Sequence, residues 1–253
     1  VVADGLGGQG GGAEAARAVV DAAEKLWFDD CSPESCPESF LERWLYAAHL
    51  AVLREAERIR CPAMAAVVAL VAHHQRVHWI HVGDCRLYRI RDGKTLQRTR
   101  DHSVVQELYD LGEIAEDEMS CHPRQHELWQ AVGSEDPITP SAGTAELLTG
   151  DVFLLCSDGL WENFLPHELE RLACTTPEMR DRILHAAVTE AVRRGGHRAD
   201  NTTVLLVAFD HQPKVARSSG FIFTLAALAA CAAVGLWRNG NSRRKACEQP
   251  GTV

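Results

Sequence analysis

The sequence predicts an α+β fold in which layers of antiparallel sheet pack against helices, with a separate apolar tail. Three observations carry that expectation. Apolar residues recur at spacings of three and four over 13–26 and 41–59, the helical period, whereas 63–72, 77–82 and 152–156 are short apolar runs rich in Val and Leu. Strand-like and helical segments come in blocks, which disfavours a doubly wound parallel sheet. The 253 residues, 46% of them hydrophobic, suffice for a sizeable core, read here as one domain plus a tail.

The chain opens on a strand-like Val1-Val2-Ala3 and a glycine-rich turn. A first helix over Ala13–Leu26 sets Ala16, Val19, Val20, Ala23 and Leu26 along one stripe. A second starts near Pro37 and Glu38, because proline is tolerated in a first helical turn. Leu41, Trp44, Leu45, Ala48, Val52 and Ile59 share its face, and Pro62 stops it. Ala63–Ala72 and Val77–Val82 then form a hairpin across His73-His74-Gln75-Arg76, and Leu87–Ile90 is a third strand closed by the turn Asp92-Gly93. Helices fit Ser103–Leu111 and Glu113–Met119. The stretch Ser120–Pro140, with two His, three Pro and few periodic apolar residues, reads as a mobile flap. Val152–Cys156 is a buried strand running into Ser157-Asp158-Gly159. Pro166–Cys174 and Pro177–Arg194 are helices, the latter closed by Gly195-Gly196, and Val204–Phe209 is the last strand. No repeat of solenoid length is visible.

Charge divides the chain. Up to Asp210 there are 20 basic and 34 acidic residues, about −14, while 211–253 carries six basic residues against Glu248, about +5. An acidic body argues against nucleic-acid binding, which Lys and Arg supply, and suits a site that concentrates divalent cations. Phe221–Trp237 is uncharged for 17 residues and flanked by Arg217 and by Arg238, Arg243, Arg244 and Lys245. Apolar character all round with basic flanks predicts a single transmembrane helix at the short end of the spanning range, with orientation left open. The expected organisation is a catalytic domain at 1–210, a linker at 211–220, a transmembrane helix at 221–237 and a basic tail at 238–253. Cys247 lies near that tail as a possible acylation site, although its surroundings make no clear motif. With no initiator Met and no signal peptide, the chain is read as lacking its true N-terminus. Nine single cysteines without a CxxC pair are read as reduced core residues of a cytoplasmic protein.

Three acidic strings stand at the edges of apolar runs: Asp4 in Val-Val-Ala-Asp-Gly-Leu-Gly-Gly, Asp158 in Cys-Ser-Asp-Gly and Asp200 in Ala-Asp-Asn-Thr-Thr. Each alone is an ordinary turn or cap residue. Together they read as an oxygen-only site for Mg²⁺ or Mn²⁺, since zinc would recruit Cys or His. Gly5-Leu6-Gly7-Gly8-Gln9-Gly10 also matches the dinucleotide-binding fingerprint, but that reading needs a second parallel strand after the first helix, where this chain has Asp29-Asp30-Cys31-Ser32-Pro33 and then another helix.

Five ordered blocks, Val1–Gly8, His81–Tyr88, Arg100–Ser103, Leu154–Trp161 and Ala199–Thr203, resemble the metal-dependent serine/threonine protein phosphatases of the type 2C class, over roughly 1–209. The resemblance implies a sandwich of two antiparallel β-sheets flanked by helices. It implies that Asp4 bridges two Mn²⁺ or Mg²⁺ ions, that Gly5 lends a carbonyl to one, that Asp158 and Asp200 hold the other, and that Asp84 with Asp158 takes a third, weaker ion. Asn201 would support the site from behind. The family's first motif, with a phosphate-binding Arg and an acidic ligand, would precede Val1. Leu6 stands where some members carry a histidine proposed as general acid; His122 and His126 in the flap are candidate helpers. Expected partners are phosphorylated proteins, a cognate serine/threonine kinase as for bacterial members, and the membrane, with the catalytic domain cytoplasmic and a membrane-associated secretion or signalling assembly as the setting. The alternatives are a membrane-tethered phosphoprotein-binding module without catalysis and a dinucleotide-dependent oxidoreductase. Trp129 and Trp161 are expected to pack in the core. His73, His74, His78 and His81 are expected at the surface or an edge, without a carboxylate partner.

Overall fold

The computed structural model describes residues 1–6, 10–29 and 36–210. Two four-stranded antiparallel sheets form its centre. One has the order β1 (Val2–Leu6), β2 (Met64–His73), β3 (Arg76–Val82), β6 (Ser141–Glu146); the other has β5 (Lys94–Arg98), β4 (Arg86–Arg91), β7 (Val152–Cys156), β8 (Val204–Ala208). Helices α1 (Gly12–Asp29) and α2 (Pro37–Ile59) cover the first sheet, and α4 (Asp158–Trp161), α5 (Pro166–Ala173) and α6 (Arg180–Gly195) cover the second. The short α3 (Val104–Asp110) follows β5.

Strand alternation builds three cores from these layers. On β2, Ala65, Val67 and Ala69 pack with Val19, Trp44, Ala48 and Val52 of the helices, while Ala66 and Val68 turn inward. On β7, Leu154 and Cys156 meet Leu184 and Val188 of α6, while Phe153 and Leu155 join Val2, Trp79 and Leu87 between the sheets. Both faces of β2 and β7 are thus buried, which is why they read as unbroken apolar runs. Pro37 sits in the first turn of α2, and Arg60 closes that helix in the left-handed conformation at φ 53°.

The expected α+β architecture is present, as is the two-sheet sandwich. Several details differ. Strands β5 and β6, both at sheet edges, were not anticipated: Lys-Thr-Leu-Gln-Arg and Ser-Ala-Gly-Thr-Ala-Glu have little apolar signal because these two strands bury little, unlike the edge strand β8. Glu113–Met119 is only in part helical, as a 3₁₀ turn over Glu116–Cys121. The segment expected as a mobile flap is irregular but tethered: Ala65 and Val132 exchange two backbone hydrogen bonds of 2.9 Å, Trp129 N donates to His102 O at 2.8 Å, and Gly133 N donates to His49 Nδ1 at 3.1 Å. His78 and His81 are buried, not at the surface. Glu38 of α2 comes within 2.9 Å of His78 Nδ1, and His81 stacks on His102 at 4.8 Å. Trp161 is in the core as expected, whereas Trp129 is 56% exposed. Only Cys85 and Cys156 of the six described cysteines are buried; all six are free thiols.

The dinucleotide reading fails on topology. α1 leads directly into α2, and every strand pairing among the described residues is antiparallel. Among those residues no helix is long and apolar enough to cross a membrane. The expected span at 221–237, with the linker and the basic tail, lies outside the described residues.

Candidate metal centre

Four segments far apart in sequence end at one edge of the sandwich. Val2 faces the space between the sheets, so Asp4, two residues on along β1, points to the same side. Gly5 faces the other way, and a Cβ there would lie 1.8 Å from the Gly12 carbonyl oxygen; the start of α1 packs on the strand only because this residue has no side chain.

Asp158 opens α4 directly after β7, with its Oδ1 accepting from Gly159 N at 2.6 Å. Ser157 ties this turn to the loop before β8: its Oγ donates to Asn201 O at 3.1 Å and accepts from Thr203 N at 3.0 Å. Gly159 completes the joint. A Cβ there would lie 2.6 Å from Asn201 O and 2.8 Å from Thr202 Oγ1. The pairing brings Asp200 to Asp158, with the Asp200 carboxylate accepting from Asn201 N at 2.6 Å. Asn201 therefore supports the site through its backbone.

Asp84 lies in the β3–β4 turn, 5% exposed, with Oδ1 lacking any hydrogen-bond partner and its carbonyl accepting from Trp161 Nε1 at 3.0 Å. Gly83 before it has φ 93° and presses on Ala66, where a Cβ would come within 2.5 Å of the Ala66 side chain.

The charges do not balance within this cluster. The buried Arg86 is already committed: its guanidinium forks onto Asp101, with Nη2 2.7 Å from Oδ2, and lies 3.6 Å over the Trp161 ring. Burial, then Asp158, Asp84 and Asp200, push the Asp4 carboxyl up to about 10, and Asp4 and Asp158 share a hydrogen bond. Burial followed by Asp158 also raises Asp84, and burial with Asp200 raises Asp158. Glu162, one helical turn beyond Asp158, is pushed up to about 8 by burial, Asp158 and Asp200. An all-oxygen pocket this short of positive charge fits hard divalent cations, which replace the protons such carboxylates otherwise hold. His126, Asp158 and Glu162 also present ligand atoms within 4.8 Å of one another.

The structure thus brings Asp4, Asp84, Asp158 and Asp200 into mutual electrostatic contact, with Gly5 next to Asp4. His126 reaches the cluster, Nδ1 being 3.9 Å from Glu162 Oε1, whereas His122 accepts from Arg124 N at 3.1 Å in its own turn. Glu162 was missed by sequence reasoning. Its signal is the spacing of four from Asp158, one turn of helix. Asp101 and His102 serve the frame: besides the Arg86 fork, His102 Nδ1 accepts from Gly83 N at 3.2 Å and Nε2 pairs with Ser141 Oγ at 2.9 Å.

An acidic oxygen cluster at the edge of a helix-covered two-sheet sandwich fits the class of metal-dependent hydrolases. Comparison with known proteins specifies which. The sequence profile of the protein phosphatase 2C family matches residues 1–194, and the chain belongs to that family. It is 31% identical over 217 residues to the serine/threonine phosphatase stp of Listeria monocytogenes serotype 4b, covering 83% of this chain and 84% of that one. The Mycobacterium tuberculosis serine/threonine phosphatase PstP/Ppp superposes with a TM-score of 0.72 at 30% identity, over 83% of this chain and 87% of the other. A catalytic domain of PstP in complex with two manganese ions superposes with a TM-score of 0.67 at 27% identity, over 81% and 84% of the two chains.

Proposed function

We infer that this chain is a metal-dependent protein phosphatase that hydrolyses phosphoserine and phosphothreonine with Mn²⁺ or Mg²⁺. The observation that carries this reading is the convergence of the buried Asp84 and Asp158, the half-buried Asp4 and the exposed Asp200 on one cluster whose nearest guanidinium, Arg86, is already paired with Asp101. Asp4, the Gly5 carbonyl, Asp158 and Asp200 would hold two ions, and Asp84 with Asp158 would hold a third. Bound there, divalent ions supply a water acidified toward neutral pH and positive charge for the phosphoryl oxygens.

The chain's own residues do the positioning. Ser157 and Gly159 hold the Asp158 turn against the Asp200 loop, and Trp161 holds the carbonyl of Asp84. His126, exposed and 3.9 Å from Glu162 at Nδ1, would donate a proton to the departing alkoxide, the role that Leu6 cannot fill.

Mn²⁺-dependent hydrolysis of p-nitrophenyl phosphate and of phosphothreonine peptides is the expected activity. Asp158→Asn should lower it by more than roughly 100-fold, the scale reached when even an outer support of a metal ligand is lost. Wild-type protein that binds phosphopeptides but never releases phosphate with either ion would leave the binding-module alternative standing.

The regulatory setting rests on sequence. A cytoplasmic domain at 1–210, a linker at 211–220, an anchor at 221–237 and a basic tail at 238–253 would place the enzyme at a membrane opposite a serine/threonine kinase. The support is the 17-residue uncharged run with basic flanks. Fractionation of cells expressing the chain with and without 218–253 tests this: the parent should sediment with membranes and the deletion should not.

A further inference from the structure

Beside the acidic cluster is a cavity of about 120 Å³, between the 3₁₀ turn after α3 and the junction of α4 and α5. Its size suits one amino-acid side chain. Its lining is apolar at Phe164 and at Leu165, which is 48% exposed, and acidic at Glu116, Asp117 and Glu162.

Two of its charged groups are already neutralised: Arg86 at its base by Asp101 at 2.7 Å, and Glu116 by Arg98 at 3.1 Å. Asp117, exposed at the rim, has no ion pair among the described residues, and Glu162, whose Oε1 is buried without a hydrogen-bond partner, has His126 Nδ1 near it at 3.9 Å. An aliphatic stem along Phe164 and Leu165 with a cationic head near Asp117 and Glu162 would satisfy both kinds of lining, the division of labour that long basic side chains make elsewhere.

The cavity also adjoins the acidic centre through Glu162. Glu162 and Asp158 offer oxygens within 4.8 Å of each other, so the cavity opens directly beside the acidic centre. An extended peptide advances roughly 3.3 Å per residue, so a residue two positions from the phosphorylated one reaches about 7 Å away and points to the same side.

We propose that this cavity is a substrate subsite for a Lys or Arg side chain lying one to three residues from the phosphorylated Ser or Thr, with Asp117 as a specificity-determining residue. The proposal rests on the phosphatase reading above. The test is kcat/KM on phosphothreonine peptides of neutral sequence carrying a single Arg at each position from three before to three after the phosphoresidue, with p-nitrophenyl phosphate as a substrate that has no side chain to place. Wild type should favour Arg at one position by roughly three- to five-fold, the scale of one partly exposed ion pair. Asp117→Asn should abolish the preference and Asp117→Lys should reverse it toward Glu at that position, while p-nitrophenyl phosphate turnover stays unchanged in both. Equal rates for every peptide, or a preference that survives Asp117→Lys, overturns the subsite while leaving the phosphatase intact. Loss of p-nitrophenyl phosphate hydrolysis in wild type with Mn²⁺ overturns the activity itself, and the subsite with it.

Discussion

Gly159 illustrates how the centre depends on the absence of a side chain. Its missing Cβ is what lets Asn201 and Thr202 close on the Asp158 turn, so Gly159→Ala must push the 200–202 loop outward. Since displacements near 1 Å at a reacting centre cost about 100-fold, this variant should lose activity of that order while keeping its fold by circular dichroism. The pH behaviour of Asp4 is equally specific. A carboxyl raised on folding, here to about 10, costs stability once pH exceeds its unfolded value, and the cost grows until the folded value is reached. With cations chelated, the melting temperature should fall between about pH 5 and 9, and Mn²⁺ should restore more of it at the upper end. Asp4→Asn should flatten the chelated profile. A wild-type profile that is level or rising would contradict this electrostatic account. At this scale the acidic residues were legible because each sits in a short local string. The burial of His78 and His81 was not, because it depends on α2 and on His102, which alternation along β3 does not reveal.

The elements divide by how much apolar surface they bury. Helices α1 and α2, the interior strands β2, β3, β4 and β7 and the edge strand β8, which still buries Val204 and Leu206, carried a periodicity or an apolar run; the edge strands β5 and β6 bury little and carried none. Beside Gly143 of β6 is the Trp79 ring, 2.3 Å from where a Cβ would be, so this edge strand is specified by fit to its neighbour and not by its own propensity. Polar joints fasten the elements around the centre. The Arg86–Asp101 fork links β4 to the segment before α3 at 5% and 1% side-chain exposure. Removing one partner leaves the other charge buried, so Asp101→Ala should destabilise the protein by about 3–5 kcal/mol in urea unfolding. Ser157→Ala, which breaks the tie between the α4 turn and the loop before β8, should cost about 0.5–1.5 kcal/mol, the net worth of such a hydrogen bond, because Asn201 is exposed and Thr203 half-buried.

Across the whole molecule, the layer order helix, sheet, sheet, helix separates structural from chemical duties. The three cores occupy the layers, and the acidic cluster sits where the strands end. Phe209 N donates to Asp151 O at 2.9 Å and Asp210 pairs with Arg180 at 2.6 Å, closing β8 onto the body. A chain ending at Asp210 is therefore expected to keep the melting temperature and the Mn²⁺-dependent activity of the full sequence; a collapse of either would mean that the body extends further. Local order in the sequence by itself determined the secondary elements of the core, the acidic composition and the aspartates that bear the chemistry, since helical period, apolar runs and motif strings are short-range properties. Only the tertiary structure decided that Asp4, Asp84 and Asp158 gather in one largely desolvated cluster with Asp200 at its exposed side, that Glu162 and His126 adjoin it, and that a side-chain-sized cavity opens beside it. The physical reason is that burial and mutual repulsion are collective: they arise when two stacked sheets bring four distant strand ends to one edge, and no local stretch of chain encodes them.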